Sequence, residues 1–175
     1  MTTLAVQGMF DVYPRLQELC TCLEASIATR GLPPTCECMV MPGVQVAIEQ
    51  CNPCGSNKCG MAWVRLVQVF PSSVFPVQDV QTLGCDLMLV FEAEVGVVRC
   101  APSGDAQGNP PTKAEYEQAA WLQDQDMMAI RDAVKCCFLH DLTMLSTFTP
   151  YGPEGGCVGG SWSVFVGPQW HSQSP

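Results

Sequence analysis

The sequence predicts an α+β protein in which two helices pack on a four-stranded, mainly antiparallel sheet. Two segments repeat apolar residues three and four positions apart, as amphipathic helices do. Three segments between them alternate or run apolar, as strands do, and a short alternating segment closes the chain. The order helix, strand, strand, strand, helix, strand therefore indicates two helices on one mixed or antiparallel sheet.

The first helix is predicted over Asp11–Arg30. Its apolar stripe consists of Leu16, Leu19, Cys20, Leu23 and Ile27. Pro14 fits only the first turn, where its missing N–H loses no helical partner. Gly31 and the prolines that follow it end the helix, because Gly accepts a left-handed backbone and Pro cannot continue the helix.

Three strands are predicted next. Val44–Glu49 alternates apolar and polar or small residues, which is typical of a half-buried strand. Ala62–Phe70 is apolar on both sides apart from two residues, which predicts a central strand covered on both faces. Leu87–Val97 alternates, and its wetter side contains Glu92 and Glu94. The connections are short to moderate and favour antiparallel neighbours.

The second helix is predicted to begin after the polar loop Ala101–Pro111. Thr112 and Glu115 form a capping-box pattern at its start. Its buried stripe comprises Met127, Ile130, Ala133, Val134, Cys137 and Phe138. The residues expected to face water are Asp124, Asp126, Arg131, Asp132 and Lys135.

The end of the chain is predicted to hold a glycine-rich turn region, Tyr151–Gly160, and a last short strand over Trp162–Val166. The 175 residues suit one domain, 1–175, with a cysteine-rich loop at 36–60 and a flexible tail at 168–175.

Composition favours an oligomer. Hydrophobic residues make up 47% of the chain and charged residues only 14%, so apolar surface must be buried in a large core or against other subunits. The net charge is −9, and no cluster of Lys or Arg is present, which argues against a surface that binds DNA phosphates.

The apolar segments do not predict a leader or a membrane span. Met1–Met9 has no Lys or Arg ahead of an apolar run, so we expect a chain that starts in a cytoplasm. The most apolar stretch, Leu83–Val98, is interrupted by three carboxylates.

Twelve cysteines are the most unusual feature of the composition. Five of them, Cys36, Cys38, Cys51, Cys54 and Cys59, are close enough in sequence to supply four sulfurs to a structural zinc ion. Disulfides or free thiols are the alternatives. Disulfides would suit a protein whose final location is outside a cell, such as a component of a virus particle. A closed four-sulfur site leaves no position for a substrate, so none of these alternatives implies catalysis.

No constellation predicts an enzyme. Cys136 or Cys137 with His140, and Cys157 with His171, lack an orienting third group, and buried thiols explain them better. The run Gly152–Ser161 lacks the Lys-Ser/Thr of a phosphate loop and opens a strand, so we interpret it as a turn that allows close backbone approach. The carboxylates Glu92, Glu94, Asp124 and Asp126 form no acid/base pair and are expected to solvate their elements.

Two stretches carry a resemblance. The run Cys51–Val67, Cys-Asn-Pro-Cys-Gly-Ser-Asn-Lys-Cys-Gly-Met-Ala-Trp-Val-Arg-Leu-Val, and the run Gly155–Val164, Gly-Gly-Cys-Val-Gly-Gly-Ser-Trp-Ser-Val, are similar to stretches of tail terminators from long, non-contractile-tailed phages of actinobacteria. The order of the predicted elements resembles that family over most of the chain. Its members share fold more than sequence and supply no catalytic residue to transfer.

The resemblance implies a structural virion protein at the head-tail junction, assembled in the host cytoplasm. It would form a hexameric ring that caps the tail tube, stops tube polymerisation and docks on the head-side connector, or stopper. Genomic DNA would pass through the ring without specific binding, which suits a negatively charged subunit. We expect the loops Cys51–Gly60 and Ala101–Pro111 to carry the two unlike docking faces.

Three other functions remain open from the sequence. Another ring of the head-tail junction, a stopper or an adaptor, has the same general requirements. A cysteine-rich zinc-binding adaptor module would explain Cys36–Cys59 but not the apolar excess. A thiol enzyme would need one cysteine of distinct reactivity.

Overall fold

The structure, a computed structural model, describes residues 11–46, 48, 51, 59–80, 87–105 and 107–168. Two helices and five strands follow in the order α1 (Val12–Thr29), β1 (Cys38–Met41), β2 (Met61–Ser72), β3 (Met88–Cys100), α2 (Lys113–Cys137), β4 (Asp141–Glu154) and β5 (Cys157–Pro168). The predicted α+β class with two helices is confirmed, whereas the predicted strand number of four is wrong.

The five strands form one mixed sheet in the order β1-β2-β3-β5-β4. Only β1 and β2 run parallel, and the other three neighbouring pairs are antiparallel. The sheet is therefore mainly antiparallel, as predicted, and β3 lies at its centre.

The first predicted strand is wrong. Residues 42–46 pair with no strand, and the preceding residues Cys38–Met41 form β1 instead. Val46 and Ile48 pack on the far face of the sheet beside Trp63. Their alternation therefore reflects the covering of a face; Ala47 and Glu49 lie outside the described residues.

Strand β4 was absent from the sequence prediction. Asp141–Glu154 is an edge strand with two register irregularities, between Leu145 and Phe148 and between Tyr151 and Glu154. Those irregularities interrupt the two-residue alternation by which a strand is recognised. The turn of the β4–β5 hairpin is confined to Gly155 and Gly156, so most of the predicted turn region is strand.

Both helices cover one face of the sheet, and their predicted spans are confirmed. The buried stripe of α1 is the predicted one, and Thr112 and Glu115 form the expected capping box of α2. The helices meet through the Ser26 hydroxyl, which donates to the carbonyl of Ala129 at 2.8 Å. Neither described helix has the length and apolar content needed to cross a bilayer.

Neither helix of the described ranges lies on the opposite face, called the back face below. Along the first half of β2, this face holds the fully buried Trp63, which is covered by Val46, Ile48 and Cys51. Along the second half of β2, Phe70 contacts Phe165 edge to face, with 6.3 Å between the ring centroids. Irregular segments and side chains thus do on this face what the helices do on the other.

We predict that Gly96→Ala destabilises the fold. A Cβ at this position would overlap the indole ring of Trp63, so the substitution overpacks the back face by about 1–3 kcal/mol in the free energy of unfolding. Chemical denaturation measures this change. In a Trp63→Phe background the same substitution should be much less destabilising, and equal losses in both backgrounds would contradict the proposed contact.

Candidate assembly surfaces

Two edges of the sheet lack strand partners. β1 pairs with β2 only over Ala62–Arg65, so no strand of the described chain covers the outer side of β2 from Leu66 onward. β4 forms the opposite edge along its whole length. Unpaired backbone N–H and C=O groups in extended strands are ready templates for another chain.

One end of the sheet exposes apolar side chains. The residues, which follow β2, begin β3 or follow α2, are Val74, Val77, Val80, Leu89 and Leu139. Val80 is 91% exposed and Leu139 is 73% exposed. We call this group the apolar end.

A short-range hydrogen-bond network holds the loop at the other end of the sheet. The Asp105 carboxylate accepts bonds from the backbone N–H groups of Gln107 and Asn109 and from the Asn109 side-chain amide. These bonds, led by the Asn109 side chain, lower the pKa of Asp105. We call this end the loop end; it comprises the loop 101–111, the start of β2, the end of β3 and the β4–β5 turn.

A buried ion pair lies on the back face. The Arg65 guanidinium donates two bonds to one carboxylate oxygen of Glu94, and the Tyr151 hydroxyl donates to the other at 2.9 Å. The Tyr151 oxygen also lies 2.9 Å from the Ser161 hydroxyl. Glu94 is buried, so the prediction that it faces water is wrong.

These contacts set the charge of the network. Burial alone would raise the pKa of Glu94, but the bonds from Arg65, Tyr151 and Ser161 hold it below its ordinary value. Burial and the neighbouring carboxylate raise the pKa of Tyr151, which keeps its proton on the hydroxyl. A cavity of about 420 Å³ opens above this network.

A second buried ion pair joins the central strand to α2. The Arg99 guanidinium donates to both carboxylate oxygens of Asp126, at 2.6 and 2.7 Å, and to the carbonyl of Pro33 at 2.7 Å. Burial raises the pKa of Asp126, and the bonds from Arg99 offset part of the rise. Asp126 was predicted to face water, and that prediction is wrong. A mostly apolar cleft of about 380 Å³ lies beside this pair, under the first half of α2.

The cysteines form long-range cross-links. Four disulfides connect described residues: Cys20–Cys38, Cys22–Cys137, Cys51–Cys157 and Cys59–Cys100, with Cα–Cα distances of 5.3–5.8 Å. They join α1 to β1, α1 to α2, the segment over the back face to β5, and the start of β2 to the end of β3. Each links segments that are distant in sequence.

The five predicted zinc ligands could bind zinc, form disulfides or stay free. In the described part of the chain they form disulfides. Cys38, Cys51 and Cys59 pair with partners outside the predicted set, and Cys36 is also disulfide-bonded. Cys54 lies outside the described residues. Within the described ranges, no group of three His, Cys, Asp or Glu side chains could hold a metal ion.

The paired thiols also bear on the candidate nucleophiles. Cys137 and Cys157 are in disulfides, and His171 lies outside the described residues. Cys136 is the free cysteine of the described chain, and it is exposed at the end of α2. Its neighbour Cys137 faces α1, as the predicted apolar stripe required.

The glycines of β5 explain the composition of that strand. A Cβ at Gly159 would overlap the backbone carbonyl of Val97, and one at Gly160 would overlap the ring of Phe148. The predicted close backbone approach is therefore made to the protein's own sheet.

No protein-family model matches the chain, and no curated protein sequence matches it either. The surfaces described above therefore carry the functional argument.

We predict that replacing Cys51 and Cys157 together by serine lowers the melting temperature. The disulfide joins residues 106 positions apart. In the chain-entropy model a loop of this size contributes about 4–5 kcal/mol, which corresponds to a fall of roughly 10 °C. Scanning calorimetry without reductant measures it. The control Cys136→Ser should keep the parental Tm, and a double variant that also melts with the parent would contradict the prediction.

We predict that Glu94 makes stability fall in acid. Because the folded pKa of Glu94 is lowered, its contribution is present above the unfolded pKa of about 4.3 and is lost as pH falls through the folded value. Urea denaturation between pH 3 and pH 7, on the order of ten points, should therefore show a shallower acid-side decline in Glu94→Gln than in the parent. The control Glu117→Gln alters an exposed pair with Lys113 and should keep the parental slope. Parallel curves for Glu94→Gln and the parent would refute this role.

Proposed function

We propose that this chain is a structural virion protein: a tail terminator of a long, non-contractile-tailed phage, whose ring caps the tail tube, stops its polymerisation and joins it to the head-side connector. The observation that carries the proposal is the difference between the two ends of one sheet. The apolar end exposes valine and leucine side chains, whereas the loop end holds the Asp105 hydrogen-bond network and the Cys59–Cys100 cross-link.

Unlike ends are what a cap requires. A tube grows by adding identical rings, so each added ring must present the surface to which the next one binds. A subunit that matches the tube on one face and differs on the other ends this repetition. In a ring whose strands run along its axis, the apolar end and the loop end become its two opposite faces.

The described residues change which segments we propose for the two faces. The loops Cys51–Gly60 and Ala101–Pro111 were expected to carry one face each. Cys59 and Cys100 are joined by a disulfide, which places the ends of both loops at the same end of β3. The described residues of the first loop, Cys51, Cys59 and Gly60, therefore lie at the loop end, and under this proposal the apolar end supplies the second face.

The distribution of charge suits passage of DNA. Arg65 and Arg99 are buried in ion pairs, and the exposed Lys113 contacts Glu117 at 3.3 Å. The net charge is −9. A subunit with this surface repels phosphates, which is the property that a conduit for DNA needs.

A second candidate is another ring of the head-tail junction, a stopper or an adaptor. The same unlike ends favour it, because any ring between two different partners needs two different faces. The zinc-binding adaptor has less support, since the described predicted ligands have disulfide partners.

We predict that particles made without this protein have tails of undefined length that do not join filled heads. A tube without its cap keeps exposing the surface that binds the next ring. Electron microscopy of lysates measures both tail length and attachment, and the wild-type chain supplied in trans should restore them. Deletion of Gly104–Gly108, at the loop end, should leave the particles unjoined.

The outcomes separate the candidates. Tails of normal length that remain unattached would assign the chain to the stopper or adaptor. Normal tails attached to heads in the complete absence of the protein would eliminate both functions. Attachment that survives the loop deletion alone would remove the loop end as the docking face for one partner.

A further inference from the structure

We propose that copies of the chain join through one antiparallel strand pair, in which Leu66–Phe70 of β2 binds Asp141–Leu145 of β4 from the next copy. This rests on the proposed function only in that a ring needs a lateral contact. The partner is a second copy, because one chain carries both halves of the contact.

Both edges have few of the features that normally prevent such pairing. Leu66–Phe70 contains no charge and no proline, and Val67 and Val69 are exposed. In Asp141–Leu145 the single charge, Asp141, contacts Arg15 at 3.1 Å. Natural proteins protect open edges with lysine, proline, inward charges or β-bulges. The two segments contain no lysine or proline; the Asp141 side chain is 8% exposed and paired with Arg15, and the register of β2 shifts between Leu66 and Gln68. Their contact would bring no unpaired charge together.

The two segments lie at the same height on the sheet. Gln68 pairs with Glu92, Glu92 with Phe165, and Phe165 with Met144. The row through Leu66 passes in the same way to Leu145. A rotation about an axis along the strands therefore brings β4 of one copy beside β2 of the next without a vertical shift.

Direction and facing also agree. Three antiparallel steps separate β2 from β4, so the two strands run in opposite directions. Leu66 and Leu145 belong to rows that include Ala93 and Val164, whose side chains lie under the helices. The helix-covered faces of adjacent copies would thus lie on one side of a continuous sheet.

The irregularity in β4 would make room for β1 of the adjoining copy. Below Arg65 the outer side of β2 is already occupied by β1, so a neighbouring strand must step aside there. The register of β4 shifts between Leu145 and Phe148, directly below the proposed pairing segment. Because β-bulges bend a strand, this shift would turn β4 away from β1.

Two pairs of lysine substitutions test the contact. Val67→Lys with Val69→Lys blocks the β2 edge, and Met144→Lys with Ser146→Lys blocks the β4 edge. All four side chains are exposed in the single chain. Light scattering should give the ring mass for the parent, and the monomer mass for each variant alone. Because each variant keeps one intact edge, an equimolar mixture of the two should form a dimer and nothing larger.

The control is Ala120→Lys with Trp121→Lys, which adds the same charge at exposed positions on α2 rather than on a sheet edge. It should assemble as the parent does. Circular dichroism and Tm are measured for every variant, so that loss of assembly is scored only in folded chains. If a folded edge variant still forms the parental ring, or the mixture stays monomeric, the strand pair is wrong while the ring survives. A parent that is monomeric both alone and with tail tubes overturns the ring itself.

Discussion

The structure depends on one constraint: a five-stranded sheet has two faces to bury, and the two helices of the described chain both lie on one of them. The helix-covered face is a conventional apolar core, with Leu19, Leu23 and Ile130 fully or almost fully buried against the sheet. The described cover of the back face is irregular chain, from residues 46, 48 and 51, together with side chains of the sheet. Cross-links and side chains have to replace what helical packing does elsewhere.

The disulfides follow from that constraint. Cys51–Cys157 fixes the segment over the back face to β5, close to Trp63, and Cys59–Cys100 fixes the entry to β2. A tethered segment loses less conformational entropy when it covers an apolar surface, so a short irregular stretch can bury a tryptophan. The Arg65–Glu94 pair completes this cover, since Arg65 also donates to the carbonyl of Gly43 at 3.3 Å.

The sequence predicted the parts of the fold that depend on local chemistry. The stripe of α1 and the capping box of α2 lie within a few helical turns, and both are confirmed. The failures involve distant partners. Val46 and Ile48 alternate because they cover a face, and Asp126 is buried because Arg99 lies opposite it. Disulfide partners up to 115 positions apart cannot be deduced from spacing along the chain.

The open sheet edges, our proposed assembly surfaces, could not be predicted from the sequence, for a physical reason. An open edge is defined by a strand that is missing beside it, so β2 has the same apolar run whether or not its outer side is covered. The low fraction of charged residues indicated that apolar surface had to be buried somewhere, but not where. The strand order supplies the answer: β1 stops at Met41, and β2 continues to Ser72. The length by which β2 outruns β1 creates the unpaired edge on which the proposed strand contact depends.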